Sequence, residues 1–403
     1  MTKALTEFTP TRTAALTRLA RFVPHAGRDY TSKRNYDLGA GRHTHVSVLS
    51  PYLRHRILTE AEVLEAVLAR FSLSSAEKFI QEVFWRTYWK GWLELRPTVW
   101  RDYQQGVMRQ MDAVHTQSGL HDRWEAACMS DTGIACFDAW AKELVTTGYL
   151  HNHARMWFAS IWIFTLKLPW ELGADFFLRH LLDGDPASNT LSWRWVAGIQ
   201  TPGKTYLARP DNIVKYTEGR FQPQGLATYA DALPGAQKPA PLPLPHLREP
   251  DPSKRTGLVL HTDDLSPQFV LDRVKGVDAT LCLETSRRLS PLAPAPHVID
   301  FAKAASQDVT TRWAGQLGTL SHGQSAKDIE GWAKDNGIEQ IVAAVAPVGP
   351  NADALAAVKS VPVVRVRRPY DTAAWPFATH GFFKFKEKIP KLIGYLNGIS
   401  TTD

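Results

Sequence analysis

The sequence predicts a multi-domain chain of α and α/β parts: an all-helical first half, a proline-rich linker, and a C-terminal α/β domain with a parallel sheet. Three observations predict it. Apolar residues before residue 250 recur at helical spacing, with no convincing alternation of period two. Seven prolines (Pro234, Pro239, Pro241, Pro243, Pro245, Pro250 and Pro252) crowd into the linker. Beyond them, short apolar runs alternate with helical stretches, the pattern of parallel strands joined by crossover helices. With 403 residues there is room for two or three domains. We place the boundaries at 1–233, 234–256 and 257–403.

Taken in order, Thr59-Glu-Ala-Glu62 is a capping box that opens a helix with Val63, Leu64, Val67 and Leu68 on one face. Ser74-Ser-Ala-Glu77 reads as a second one, opening a helix that runs to about Leu95 and is stopped by Pro97. Further helices are expected near 134–147, 151–168 and 174–182. The apolar stretch 156–168 is about a dozen residues, short of the roughly 20 that span a membrane, and is expected to be a buried helix. Proline at the linker's density blocks helix and sheet and holds the chain extended. After it, GLVLH (257–261), ATLCLE (279–284), QIVAAVA (340–346) and VPVVRV (361–366) are the expected strands, with a helix near 325–336. No internal repeat, glycine-rich dinucleotide fingerprint or Walker loop is present in the sequence.

Composition narrows the function classes. At 44% hydrophobic and 22% charged residues the chain reads as soluble and globular. A net charge of +7 favours polyanionic partners, although charge alone does not select nucleic acid. Cys128, Cys136 and Cys282 form no CxxC pair, which argues against a cysteine metal site or a disulfide framework. No metal is expected. The N-terminus lacks the apolar core of a signal peptide, and a cytoplasmic protein is expected. Fourteen tryptophans stand out, eleven of them before residue 200. Core filling accounts for most of them; base stacking or electron transfer would account for the rest.

The residues 150–198 carry the chemistry. His151, Asn152, His153, Arg155 and Met156 fall within two helical turns, the turn Asp183-Gly-Asp185 precedes Asn189, and Trp193 and Trp195 follow. Upstream, Glu82, Trp85, Arg86 and Trp89 lie at i, i+3, i+4 and i+7, one continuous stripe. Farther upstream, Tyr30 and Arg34 are followed by Val46-Ser-Val-Leu-Ser-Pro-Tyr-Leu53.

This constellation resembles the photolyase/cryptochrome family, in which an HN-x-x-R-M helix precedes DGD-x-x-x-N-x-x-x-W-x-W. The likeness covers about residues 28–221. It departs from the family at Val46 and Val48, which replace the usual Thr and Arg of the phosphate loop. The resemblance implies a helical domain holding a U-shaped FAD lined by Tyr30, Ser47, Leu49, Ser50, Phe79, Arg86, Arg155, Asp183, Asp185 and Asn189. Asn189 stands where the family faces flavin N5, and asparagine there goes with repair enzymes that work from reduced FAD. The implied activity is light-driven splitting of cyclobutane pyrimidine dimers, a deoxyribodipyrimidine photolyase; the alternative is a blue-light receptor of cryptochrome type.

The implied partner is UV-damaged DNA, contacted by Arg34, Glu82, Trp85, Trp89, Asn152, His153 and Trp195, with no membrane and a monomeric protein. Glu82, Asn152 and Met156 would serve the reaction, and Trp170 and Trp193 would carry electrons to the flavin. The outer member of that tryptophan chain has no aligned residue, and Trp124, Trp157 and Trp162 remain alternatives to it. Where the family carries its α/β domain first, this chain carries one last. That order implies a circular permutation, or an unrelated α/β domain, and leaves the antenna pigment open.

Overall fold

A computed structural model describes residues 7–235 and 237–396. Among these, the helical part contains α1 (Arg12–Phe22), α2 (Arg28–Lys33), α3 (Ser50–Arg54), α4 (Glu60–Leu68), α5 (Glu77–Glu94) and α6 (Thr98–Thr116). It continues through α7 (Ser118–Cys128), α8 (Ala135–Thr147), α9 (Asn152–Ser160), α10 (Trp170–His180), α11 (Pro186–Val196) and α12 (Pro210–Tyr216). No strand occurs before Thr256 among the described residues.

The Thr59 capping box forms as expected: Glu62 N–H donates to Thr59 Oγ1 at 3.3 Å and Thr59 N–H to Glu62 Oε2 at 2.7 Å. The second one does not. Ser72, Ser74 and Ser75 bond to one another through their hydroxyls, the chain makes a turn there, and α5 starts from Ala76 without a side-chain cap. Pro97 also does more than end α5. It caps α6, where a fixed φ suits a helix start. The helix expected to reach Leu168 is regular to Ser160 and widens to a π turn over Ile161–Thr165.

Residues 222–255 hold no helix or strand among those described. The proline-rich stretch is strapped to the end of α5: Leu242 N–H donates to Leu95 O at 2.8 Å and Arg96 Nε to Pro239 O at 3.0 Å. The strands β1 (Thr256–His261), β2 (Ala279–Leu283), β3 (Thr319–Gly323), β4 (Gln340–Ala344) and β5 (Val363–Val366) follow in one parallel sheet of order β3-β2-β1-β4-β5. Central β1 is buried throughout, pairing Val259 with Leu281 on one side and Ala343 on the other. Unpatterned β3 was not expected; it is an edge strand whose only buried residue is Gly323. The helices of this part are α13 (Gln268–Leu271), α14 (Pro296–Arg312), α15 (Ala326–Asp335), α16 (Pro350–Ala357), α17 (Pro369–Ala374), α18 (Phe382–Lys386) and α19 (Ile389–Leu396).

Strand order reverses beside β1, and in open parallel sheets the crevice at the carboxyl ends there is where ligands sit. Here the helical part fills it. His55 Nδ1 meets Thr262 O at 2.6 Å, Arg54 pairs with Asp263, and Asn351 Nδ2 donates to Asp263 Oδ2 at 2.9 Å. Arg56 lies between Glu60, Asp264 and Asp371, and Arg368 binds Asp264 at 2.7 Å. Buried charges persist only when paired, and this network pairs them across the two parts of the chain.

Candidate functional site

Asp185 sets the site's geometry. Its carboxylate accepts from Ser188 N–H at 2.8 Å and caps α11, and Pro186 occupies the first helical position. Burial would raise its pKa, but Lys90, Arg86 and Arg54 outweigh that and hold it at about 2. Burial and Arg86 in turn push Lys90 down to about 8, with its Nζ 3.7 Å from Asp185. Arg86 spans Asp185 at 3.5 Å and Glu60 at 3.4 Å. The result is an ionised, buried floor.

One turn along, Asn189 is buried and its Nδ2 donates to Ala174 O at 2.8 Å. Only nitrogen can donate to a carbonyl, so the amide keeps Oδ1 as its acceptor. On α9, Arg155 grips Asp183 with both Nη atoms, at 3.0 and 2.8 Å, and its Nε donates to Leu150 O at 2.8 Å. A forked pair of this kind fixes both side chains. Helix α11 packs against α5, α9 and α10, so the groups expected around the cofactor share one bundle.

The loop before α3 has a distinct backbone. Val48 has φ +52°, a left-handed conformation that is strained for a β-branched residue, and Leu49 after it is right-handed. Such a succession turns neighbouring N–H groups toward one concavity that suits an anion. Ser47 and Ser50 flank it, half-buried, while Leu49 is fully buried. Tyr30 and Phe79 meet edge to face at 5.2 Å, beside Phe22, in the wall where α1, α2 and α5 meet. Burial first, then Glu82, keeps the Tyr30 hydroxyl protonated.

The rim is more accessible. Glu82 pairs with Arg34, Asn152 is exposed, and Met156, Trp85, Trp89 and Trp195 are half-buried. Trp85 stacks on Phe382 of α18, with ring centroids 3.7 Å apart and planes 12° apart, so one indole face is covered. Trp195 leans on Tyr206 at 5.6 Å. His153 departs from the expected DNA contact. It is 7% exposed, stacked on Trp157 at 4.0 Å, with Nδ1 at 3.1 Å from Asn35 O. Burial lowers its pKa, so its neutral form is favoured.

Trp193 is buried beneath Gly173, and Trp170 at the start of α10 has Tyr103 as its aromatic neighbour at 5.7 Å, with Trp100 another 5.2 Å on. Trp157 and Trp162 are fully buried, and their Nε1 groups donate to Asn212 Oδ1 and Pro169 O. Trp124 is half-buried.

Sequence reasoning missed Lys90, Glu60, Arg54 and Asp263, which no local spacing connects. It also missed Asp37, His43 and Glu143, the one His/carboxylate group among the described residues with ligand atoms close enough for a metal ion. Asp37 there already accepts from Trp140 Nε1 at 2.8 Å and pairs with Arg220, and His43 Nε2 meets Glu143 at 2.9 Å.

The fold joins a helical bundle to a parallel α/β sheet. Residues 79–230 match the family described as the FAD binding domain of DNA photolyase. Deoxyribodipyrimidine photo-lyase of a Synechococcus species is 31% identical over 195 residues, 47% of this chain and 39% of that one. The enzyme of the same name from Streptomyces griseus is 35% identical over 176 residues, 42% of this chain and 34% of that one. A class III photolyase structure from Agrobacterium tumefaciens matches with TM-score 0.44 at 27% identity, covering 54% of this chain and 45% of that chain. The chain spans less than half the length of each of these relatives. The matched stretch is similar to the FAD-binding domain of photolyases, and FAD is that domain's cofactor. The donor set fits FAD: a backbone concavity for phosphate, a part-buried Arg155–Asp183 fork and the buried Asn189 amide. No described helix is long and apolar enough to cross a membrane.

Proposed function

We propose that this protein repairs cyclobutane pyrimidine dimers in DNA by light, using reduced FAD. Reduced FAD, when bound, supplies the excited electron that splits the dimer and to which the electron returns. The orientation of Asn189 carries the reading. One Nδ2–H is given to Ala174 O, which fixes the amide's rotation and leaves Oδ1 as an acceptor and the second Nδ2–H as a donor. An Oδ1 acceptor at that position would suit the N5–H of reduced flavin.

The chain's own residues would do the rest. Ser47, Leu49 and Ser50 hold phosphate at the Val48 concavity, and Arg155, Asp183, Asp185 and Arg86 hold the remainder. Tyr30 and Phe79 close the wall. Glu82, paired with Arg34, offers carboxylate oxygens as acceptors for a base N–H and would fix the flipped dimer. Asn152 and Met156 complete that pocket, and Trp85, Trp89 and Trp195 offer apolar faces to it. Trp193 and Trp170 would lead electrons inward. The α/β part reads as the family's α/β domain carried after the helical one, within boundaries 1–233, 234–256 and 257–403.

Two observations favour a second reading, a blue-light receptor: His153 is turned inward, and Phe382 covers one face of Trp85. Illuminating reduced protein with a dimer-containing oligonucleotide separates the two. Dimer loss in light and none in darkness is expected. No loss, with a light-induced change in oligomeric state, would establish the receptor instead.

A further inference from the structure

Helix α18 presents two adjacent phenylalanines to opposite environments. Phe382 is buried against Trp85, whereas Phe383 is 81% exposed. Neighbouring residues on a helix point about 100° apart, so α18 cannot bury both rings in the same wall. The helix is tied in place: Lys386 Nζ pairs with Glu77 of α5 at 2.9 Å, and Tyr88 Oη donates to His380 O at 2.7 Å just before it. Phe383 is therefore one residue from the ring that stacks on Trp85, with its own side chain in solvent.

Its surroundings are cationic. Between residues 383 and 391, Lys384 pairs with Glu387 at 3.2 Å and Lys386 with Glu77, while Lys388 and Lys391 lie near the Phe377 ring at 5.9 and 5.8 Å. An exposed aromatic ring set among lysines matches a partner that offers both negative charge and flat apolar faces. Stacked bases on a phosphate backbone have that chemistry.

We propose that α18 is a second lip of the DNA-binding surface, with Phe383 wedged beside the damaged step and the α18–α19 lysines on the flanking phosphates. This rests on the repair reading above. Apolar side chains inserted at a base step pry it open, and a flipped dimer leaves a gap whose neighbours have lost a stacking partner. Phe383 fills that gap, while Phe382 stays stacked on Trp85. The α/β part thereby contributes directly to lesion recognition.

The test is equilibrium binding of FAD-loaded protein to a duplex with one dimer and to the same duplex intact. Phe383→Ala is expected to weaken dimer binding about tenfold, the scale of one lost base stack, with flavin content unchanged. Phe383→Trp should restore it. Lys388→Gln should lower the salt slope of binding by about one, and Phe383→Ala should leave that slope alone. Because Phe383 is exposed, its removal does not threaten folding. If Phe383→Ala binds the dimer as tightly as the wild type does, α18 has no such role, and the repair reading stands untouched. If the wild type itself shows no preference for the dimer, the repair reading falls and this inference falls with it.

Discussion

Asp371 holds Arg56 by both Nη atoms, each at 2.7 Å, although 315 residues separate them in sequence. Arg56 itself sits at φ +48°, a conformation few non-glycine residues adopt. The pair ties the turn after α3, and with it the Val48–Ser50 loop, to the far part of the chain.

Breaking that pair should be severe. Asp371→Ala leaves a buried guanidinium short of one of its carboxylates, a change that costs about 3–5 kcal/mol in buried pairs. Denaturant unfolding of the variant is expected to show a free energy of unfolding lower by that amount, with a correspondingly lower midpoint.

A pH dependence follows from Glu94. Burial pushes its carboxyl up to about 7, while Val348 N–H, which it accepts, lowers it only in part. A group raised in the folded state binds its proton more tightly there than in the unfolded chain. Its stabilisation is complete below the ordinary carboxylate range and is lost as pH rises through 7. Glu94→Gln cannot ionise. It should match the wild type near pH 4.5 and exceed it at pH 8 by at most about 3 kcal/mol. Thermal unfolding at the two pH values checks this.

Gly173 offers a test of sign. Alanine is ordinarily better than glycine in a helix by about 1 kcal/mol. Here a Cβ would lie 2.4 Å from Trp193 Cη2 and 2.9 Å from Trp162 Nε1, and both rings are buried. Overpacking of a filled core costs about 1–3 kcal/mol. Gly173→Ala is accordingly expected to lower the melting temperature and to shift the tryptophan emission.

Glu82→Ala removes the acceptor that would hold the dimer and frees Arg34. Repair should slow by about a hundredfold to a thousandfold, the range for one placed polar group, while flavin content stays constant. Single-turnover repair beside the absorption spectrum measures both.

Much of the helical part was legible because its helices announce themselves through caps and apolar stripes, and the Thr59 box and the Asp183–Asn189 turn read directly. Four strands were legible from their apolar runs. Exposed β3 was not, since an edge strand that buries only Gly323 has no pattern to show. The Ser74 box failed because serine hydroxyls satisfied one another first. The ionic seam was invisible for a deeper reason: Arg54 meets Asp263, and Arg56 meets Asp371, only once the sheet is built. His153 sat in a family position that suggested an outward contact, but Trp157 and Asn35 supply it with inward partners.

The flavin pocket itself is tested by binding. Mixed with FAD and passed through gel filtration, the wild type should retain one FAD per chain, and Arg155→Ala, with unchanged helical circular dichroism, should release it. A colourless wild-type protein with no affinity for added FAD would contradict the account.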